Sequence, residues 1–179
     1  IVFLDSKGRA YSIEAEALPT GRGDGVPGAS LVDIQEGAQL LHCVSGGVSA
    51  SLFVATSGGY GFFAKLSDLV SNRRAGRDFM SMQANEVPIV PRFFNPQSDE
   101  LVVAISEKGK LLAFPAEEMK FLSRGRGVIV MGLDDDDKLS AVSMIGKRAV
   151  KVSGRSPRAQ KEDVILLSGD KFEHHYSRR

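Results

Sequence analysis

Short apolar runs recur along the chain, each cut by a polar turn that holds a glycine. Three segments superpose without gaps around Gly8, Gly59 and Gly109, a period of 51 and then 50 residues. Six positions before these glycines stand Val2, Phe53 and Val103. Three after them stand Tyr11, Phe62 and Leu112, and ten after them Leu18, Leu69 and Met119. A β-branched or aromatic run, a tight glycine turn and a second apolar run predict a β-hairpin in each copy. The three anchors at the tenth position are expected in equivalent buried sites. An acidic residue precedes the anchor in Asp68-Leu69 and Glu118-Met119.

A basic, glycine-bearing loop follows each hairpin. It reads Gly21-Arg22-Gly23-Asp24-Gly25, then Asn72-Arg73-Arg74-Ala75-Gly76-Arg77, then Ser123-Arg124-Gly125-Arg126-Gly127. Further strands are predicted at Ser30 to Ile34, Gln39 to Val44, Phe79 to Met82, Ile89 to Phe94, Val128 to Leu133 and Leu139 to Ile145. Four short strands per repeat of about 50 residues is the arithmetic of a propeller blade. No stretch carries a helical stripe. A fourth copy is partial, with strands at Ala149 to Val152 and Val164 to Leu167. The turn between them is long and basic, Phe172 stands at the anchor position, and Ser177-Arg178-Arg179 opens another basic loop. The expected organisation is one all-β domain over 1–179, in repeats near 1–50, 51–100, 101–147 and 148–179, or about three and a half to four blades.

Composition narrows the classes. Apolar residues make up 42% of the 179 and charged residues 25%, which suits a packed soluble domain rather than a disordered one. The net charge of +1 excludes a strongly basic protein but allows a basic face. One cysteine, Cys43, leaves no internal disulfide framework and fits a reducing compartment. Between Leu41 and Val44 it reads as a small core residue. No apolar run approaches the ~18 residues of a membrane span. The chain opens directly on a strand-like run at Ile1, as a fragment of a longer protein would.

Trp is absent, which removes the Trp-Asp class of propeller, and the double glycine Gly58-Gly59 occurs once without a kelch tryptophan. The pattern resembles instead the C-terminal DNA-wrapping domain of the A subunit of bacterial type IIA topoisomerases. The lines that carry the resemblance are Ala55 to Gly61 with Leu69 to Gly76, and Arg124-Gly125-Arg126-Gly127-Val128-Ile129. The opening Phe3 to Tyr11, with Leu18-Pro19 and Gly21-Arg22-Gly23, is more similar to topoisomerase IV than to DNA gyrase. The resemblance implies a β-pinwheel, a propeller-like disc whose neighbouring blades exchange strands and whose edge bends duplex DNA. It implies a cytoplasmic, nucleoid-associated bacterial protein. It also implies an A2B2 holoenzyme with an ATPase B subunit, in which ATP and Mg act on other domains. Nothing matches the core's catalytic tyrosine, since Tyr11, Tyr60 and Tyr176 lie in repeat strands or a terminal loop. No catalysis, cofactor or membrane contact is therefore expected of this chain, and a monomer is. The Gln-Arg-Arg-Gly-Gly-Lys-Gly box of gyrase is missing, which favours bending weaker than gyrase wrapping.

The physics of the loops points the same way. Cationic loops repeated along an edge can follow the phosphates of a duplex, and each Lys or Arg contact releases counterions without reading sequence. Glycines beside the arginines are expected to let backbone N–H groups approach phosphate. The candidate contacts are Arg22, Arg73, Arg74, Arg77, Arg124, Arg126, Lys147, Arg148, Arg155, Arg158 and Arg178. The other readings are a protein-interaction propeller, which needs an exposed aromatic patch, and a propeller enzyme, which needs convergent polar residues. Gly23 to Gly28 mimics a dinucleotide motif but lacks the following helix. Arg22-Gly23-Asp24 is a chance integrin-like triplet. Asp134-Asp135-Asp136-Asp137-Lys138 reads as a solvated acidic turn that lacks the spacing of a calcium loop and faces away from bound DNA. His174-His175 point to opposite faces of a strand, and His42 is isolated.

Overall fold

The computed structural model describes residues 1–21, 23–98, 101–146, 150–155 and 162–167, the last two stretches by their backbone. The chain is all-β. Its strands are β1 (Val2–Asp5), β2 (Arg9–Ser12), β3 (Leu40–Val44), β4 (Ser51–Ala55), β5 (Tyr60–Lys65), β6 (Arg77–Asp78), β7 (Arg92–Phe94), β8 (Leu101–Ser106), β9 (Leu111–Pro115), β10 (Val128–Ile129), β11 (Leu139–Ile145), β12 (Val150–Arg155) and β13 (Glu162–Leu167). One helical turn, α1 (Leu66–Leu69), precedes the second basic loop, and 3-10 turns occupy the same register at Ala15–Ala17 and Ala116–Glu118. The acidic residue before the anchor now has a reason in α1. Asp68 caps the turn by accepting the Lys65 N–H at 2.9 Å.

The sheets run in the orders β3-β1-β2-β6, β10-β5-β4-β7, β11-β8-β9 and β12-β13. Strands β6 and β10 belong in sequence to one repeat and in space to the preceding blade. The Gly8, Gly59 and Gly109 turns link equivalent hairpins with φ of 80°, 83° and 80°, values that a side chain would strain. The carbonyl of Gly8 accepts the N–H groups of Phe79 and Met80, and that of Gly59 accepts those of Val130 and Met131. Both of these turns therefore fix the strand donated by the next repeat.

Two cores lie between blades rather than within them. Leu52, Val54, Phe62 and Ala64 pack with Val2, Leu4, Ala10 and Leu69 on one side, while Phe53, Ala55 and Phe63 pack with Val102, Phe114, Met119 and Val130 on the other. The middle hairpin is thus buried on both faces, which is why it reads as a continuous apolar run instead of an alternating one. Burying each of these phenylalanines contributes roughly 1.5–3 kcal/mol.

This arrangement corrects several expectations. Leu69 and Met119 are buried because the preceding blade covers them, whereas Leu18 is 37% exposed, since no described residue forms a blade before the first. Ser30 to Ile34 is not a strand but follows a 3-10 turn at Gly28–Ser30. The strand foreseen at Phe79 to Met82 is absent, its place taken by the exchanged pair Arg77–Asp78 just ahead of it, and that at Val128 to Leu133 shortens to the exchanged pair Val128–Ile129. Beyond these pairs the backbone bonds to turn glycines rather than to a ladder. Cys43 is exposed, because β3 is a sheet edge with Leu41 and Cys43 turned outward. In the partial copy, β12 and β13 pair from Val150 with Leu167 to Arg155 with Glu162, so its strands run further into the basic turn than expected.

Candidate nucleic-acid interface

The second and third basic loops are the connections that carry the chain from one blade to the strand it donates. Gly76 and Gly127 occupy one register position, with φ of 63° and 83°. A Cβ on Gly76 would overlap the Ala10 carbonyl and the Tyr11 ring, and one on Gly127 would overlap the Gly61 carbonyl. Strand exchange alone is therefore a sufficient reason for these two glycines. Gly125 differs, with φ of 130° and open space around it.

The arginines divide by partner. Arg73 and Arg124 are exposed, Arg77 is half-buried, and none of the three guanidinium groups is bonded by a described residue. Arg74 lies 3.4 Å from the Asp33 carboxylate, with both side chains about two-thirds exposed. Such a pair contributes little and is readily exchanged for a phosphate. Arg126 is committed elsewhere. Its guanidinium stacks 3.9 Å over the Tyr60 ring and forks onto Glu86, at 2.7 Å to Oε1 and 3.2 Å to Oε2. The Glu86 side chain is only 9% exposed and rests where a Cβ on Gly58 would stand, which explains that glycine. Arg126 is thus a strut of the seam, its guanidinium less available to a phosphate than its place in the sequence suggests. Arg155 lies in β12, and Arg22, Lys147, Arg148, Arg158 and Arg178 lie outside the described residues, as do Phe172, His174 and His175.

Arg9 went unnoticed in the sequence. It donates to Ala75 O at 2.6 Å and Gly76 O at 3.3 Å and pairs with Asp78, clamping the second basic loop and its donated strand. Its only sequence signal is its place immediately after the turn glycine.

Successive loops touch. Gly125 donates to Phe79 O at 2.8 Å and accepts from the Ser81 N–H at 3.0 Å, so the third loop rests on the segment that leaves the second. Arg77 and Gly125 are then no more than about 15 Å apart along the backbone. The acidic turn is partly neutralised at the third hairpin. Lys108 pairs with Asp136, and Lys110 donates to Asp134 at 2.6 Å. That hydrogen bond holds the Asp134 carboxyl below its ordinary range and raises the Lys110 ammonium. No group of three metal-ligating side chains forms among the described residues. No described helix is long and apolar enough to cross a membrane. His42 Nε2 donates to Pro88 O at 2.9 Å and so ties the first blade to the second. Two phenylalanines stand out from the core, Phe93 at 45% and Phe121 at 51% exposure.

Comparison with known proteins adds independent findings. A family model described as DNA gyrase C-terminal domain, beta-propeller, matches residues 6–45, 50–86 and 100–145. The A subunit of DNA topoisomerase 4 from Neisseria gonorrhoeae is 35% identical over 164 residues, covering 87% of this chain and 21% of that protein. The Escherichia coli K12 protein of the same name is 27% identical over 180 residues, covering 96% and 24%. The chain thus spans about a fifth to a quarter of these relatives' length. The solved E. coli ParC C-terminal domain superposes with a TM-score of 0.82 at 27% identity, covering 97% of this chain and 70% of that one. The DNA gyrase A C-terminal domain, at 18% identity and a TM-score of 0.63 over 80% of this chain and 46% of that one, shares the fold.

Proposed function

This chain belongs to the DNA gyrase C-terminal domain family, and we propose that it is a non-catalytic module that binds and bends duplex DNA for a type II topoisomerase. The observation that carries the reading is the set of exposed arginines, Arg73, Arg74 and Arg124, on successive loops joined through the bonds of Gly125. These loops sit where one blade hands a strand to the next, so their spacing is set by the blade repeat and not by loop flexibility. A rigid edge with cations at that spacing makes a duplex curve in order to touch more than one loop. Bending a 20–30 base-pair site costs of order 1–6 kcal/mol, which contacts on two or more loops must offset.

The module takes no cofactor of its own. In the cell it would act in the bacterial cytoplasm, on the nucleoid, as part of a topoisomerase's A subunit. There it would present DNA segments to a catalytic core and an ATPase partner, in an A2B2 assembly, for decatenation and relaxation. With no helix or strand placed to enter a groove among the described residues, binding is read as independent of sequence.

The test is fluorescence anisotropy of two unrelated 30-base-pair duplexes across a salt series. With about four to six phosphates contacted, the log–log slope is about −4 to −5, and the two duplexes compete equally. A flat salt response or a strong preference for one sequence would overturn the reading.

A further inference from the structure

The basic loops share a second register position that charge does not explain. Three residues ahead of Arg22, Arg73 and Arg124 stand Pro19, Val70 and Phe121. All three are exposed, Val70 at 39% and Phe121 at 51%. A single exposed apolar residue is ordinary. Recurrence at one offset from an arginine, in loops of otherwise unlike sequence, is not.

Phe121 is also held in place. The Phe63 N–H donates to Lys120 O and the Leu122 N–H donates to Phe63 O, both at 2.8 Å, so the backbone on either side of the ring is pinned to β5. The ring meets Phe63 edge-on, with centroids 5.4 Å apart, and lies 6.2 Å from Phe94. One face of the ring is supported while half of the side chain remains open to solvent. Lys120 beside it is exposed as well. Three residues of chain span at most about 10 Å, so the backbone attachments of the Phe121 ring and the Arg124 guanidinium lie within about three base-pair rises of each other.

Resting on the DNA-binding reading, we infer that Phe121 is a wedge that enters the base stack of the bound duplex while Arg124 holds the neighbouring phosphate. Val70 with Arg73 repeats the device on the preceding loop. Proteins that kink DNA insert side chains such as Phe and Pro between base steps, accepting a few kcal/mol of unstacking for a duplex that then wraps more surface. A ring pre-positioned on Phe63 gives up little freedom on insertion. The bend is then concentrated at the loops rather than spread evenly along the path, and it is sharpest at Phe121, the largest of the three.

The experiment uses the whole chain and a 30-base-pair duplex carrying 2-aminopurine at successive interior positions, with an end-to-end donor and acceptor pair. Unstacking raises aminopurine fluorescence, and bending raises energy transfer. With the parent, fluorescence rises at interior positions generally, since binding without sequence preference places the wedge at many steps. Phe121→Ala loses the rise and lowers energy transfer at saturation, with an unchanged salt slope, while Phe121→Leu keeps both signals. Arg124→Ala does the reverse, making the salt slope shallower by about one unit. If Phe121→Ala unfolds the chain, Phe121→Gln provides the polar comparison with Phe121→Leu. Bending and aminopurine signals that persist in folded Phe121→Ala or Phe121→Gln would overturn the wedge and leave DNA binding intact. A parent that ignores duplex DNA altogether would sink both.

Discussion

The two strand-exchange seams solve one problem with opposite chemistry. At the first, between β2 and β6, the receiving blade supplies the cation: Arg9 reaches out to Ala75, Gly76 and Asp78 of the arriving chain. At the second, between β5 and β10, the arriving chain supplies it: Arg126 lies over Tyr60 and onto Glu86 of the receiving blade. The consequence falls on the surface. The first seam leaves Arg73, Arg74 and Arg77 of its loop outside the clamp, whereas the second spends one of its two loop arginines and leaves Arg124. Charge counted along a sequence therefore overstates the charge available to a ligand.

The largest expected effect comes from closing the space that both seams need. Gly127→Ala places a methyl group against the Gly61 carbonyl at positive φ, and Gly76→Ala does the same against Ala10 and Tyr11. Each should cost more than about 3 kcal/mol in urea unfolding, because strain and overlap add. Gly125→Ala, at positive φ in open space, should cost only about 1–2 kcal/mol. Equal losses at Gly125 and Gly127 would remove the seam explanation of the glycines.

The clamps come next. Glu86→Ala leaves the mostly buried Arg126 without its carboxylate, and Arg9→Ala leaves Asp78 and two loop carbonyls without their donor. About 1–3 kcal/mol is expected for each, by denaturant midpoint. A double-mutant cycle of Arg126 with Glu86 should show coupling, and one of Arg9 with Glu86 none.

Alkaline pH separates the seams without mutation. Tyr11 stands at the first seam, where its hydroxyl donates to the buried Asp5 at 2.8 Å, and burial first and that bond second push its pKa up to about 12. Its counterpart at the second seam is Phe62, which does not titrate. A folded pKa above the unfolded value of 10.0 means this contribution is complete below pH 10 and fades as pH rises toward 12. The loss runs at about 1.4 kcal/mol per pH unit. Hydrogen exchange above pH 10 should open β6 before β10, and Tyr11→Phe should abolish that order.

The smallest effects on stability are the ones that report on DNA. Arg73→Ala with Arg74→Ala should make the salt slope of duplex binding shallower by about two units, Arg124→Ala by about one, and Arg126→Ala by almost none. A large change with Arg126→Ala would return that residue to the interface.

The repeat itself was legible from residues alone, because Gly8, Gly59 and Gly109 need positive φ and their flanking runs must be buried. Strand exchange could be foreseen through family resemblance, and the partners of Arg9 and Arg126 could not. Which neighbour an arginine finds depends on a blade some 65 residues away in sequence, as Arg9 with Ala75 shows. The same holds for Leu18 and Cys43, whose apolar patterning promised burial. Pattern tells which residues prefer to be covered, and topology decides whether anything arrives to cover them.

In the proposed function, successive loops act as one bending edge. It is tested most directly by end-to-end energy transfer in a labelled 30-base-pair duplex, saturated in turn with the parent, with Arg73→Ala/Arg74→Ala, and with that pair combined with Arg124→Ala. The single-loop variant should bend the duplex nearly as the parent does at higher protein concentration. The two-loop variant should still bind at low salt but leave the duplex straight. Energy transfer equal to the parent's in the saturated two-loop variant would contradict the account.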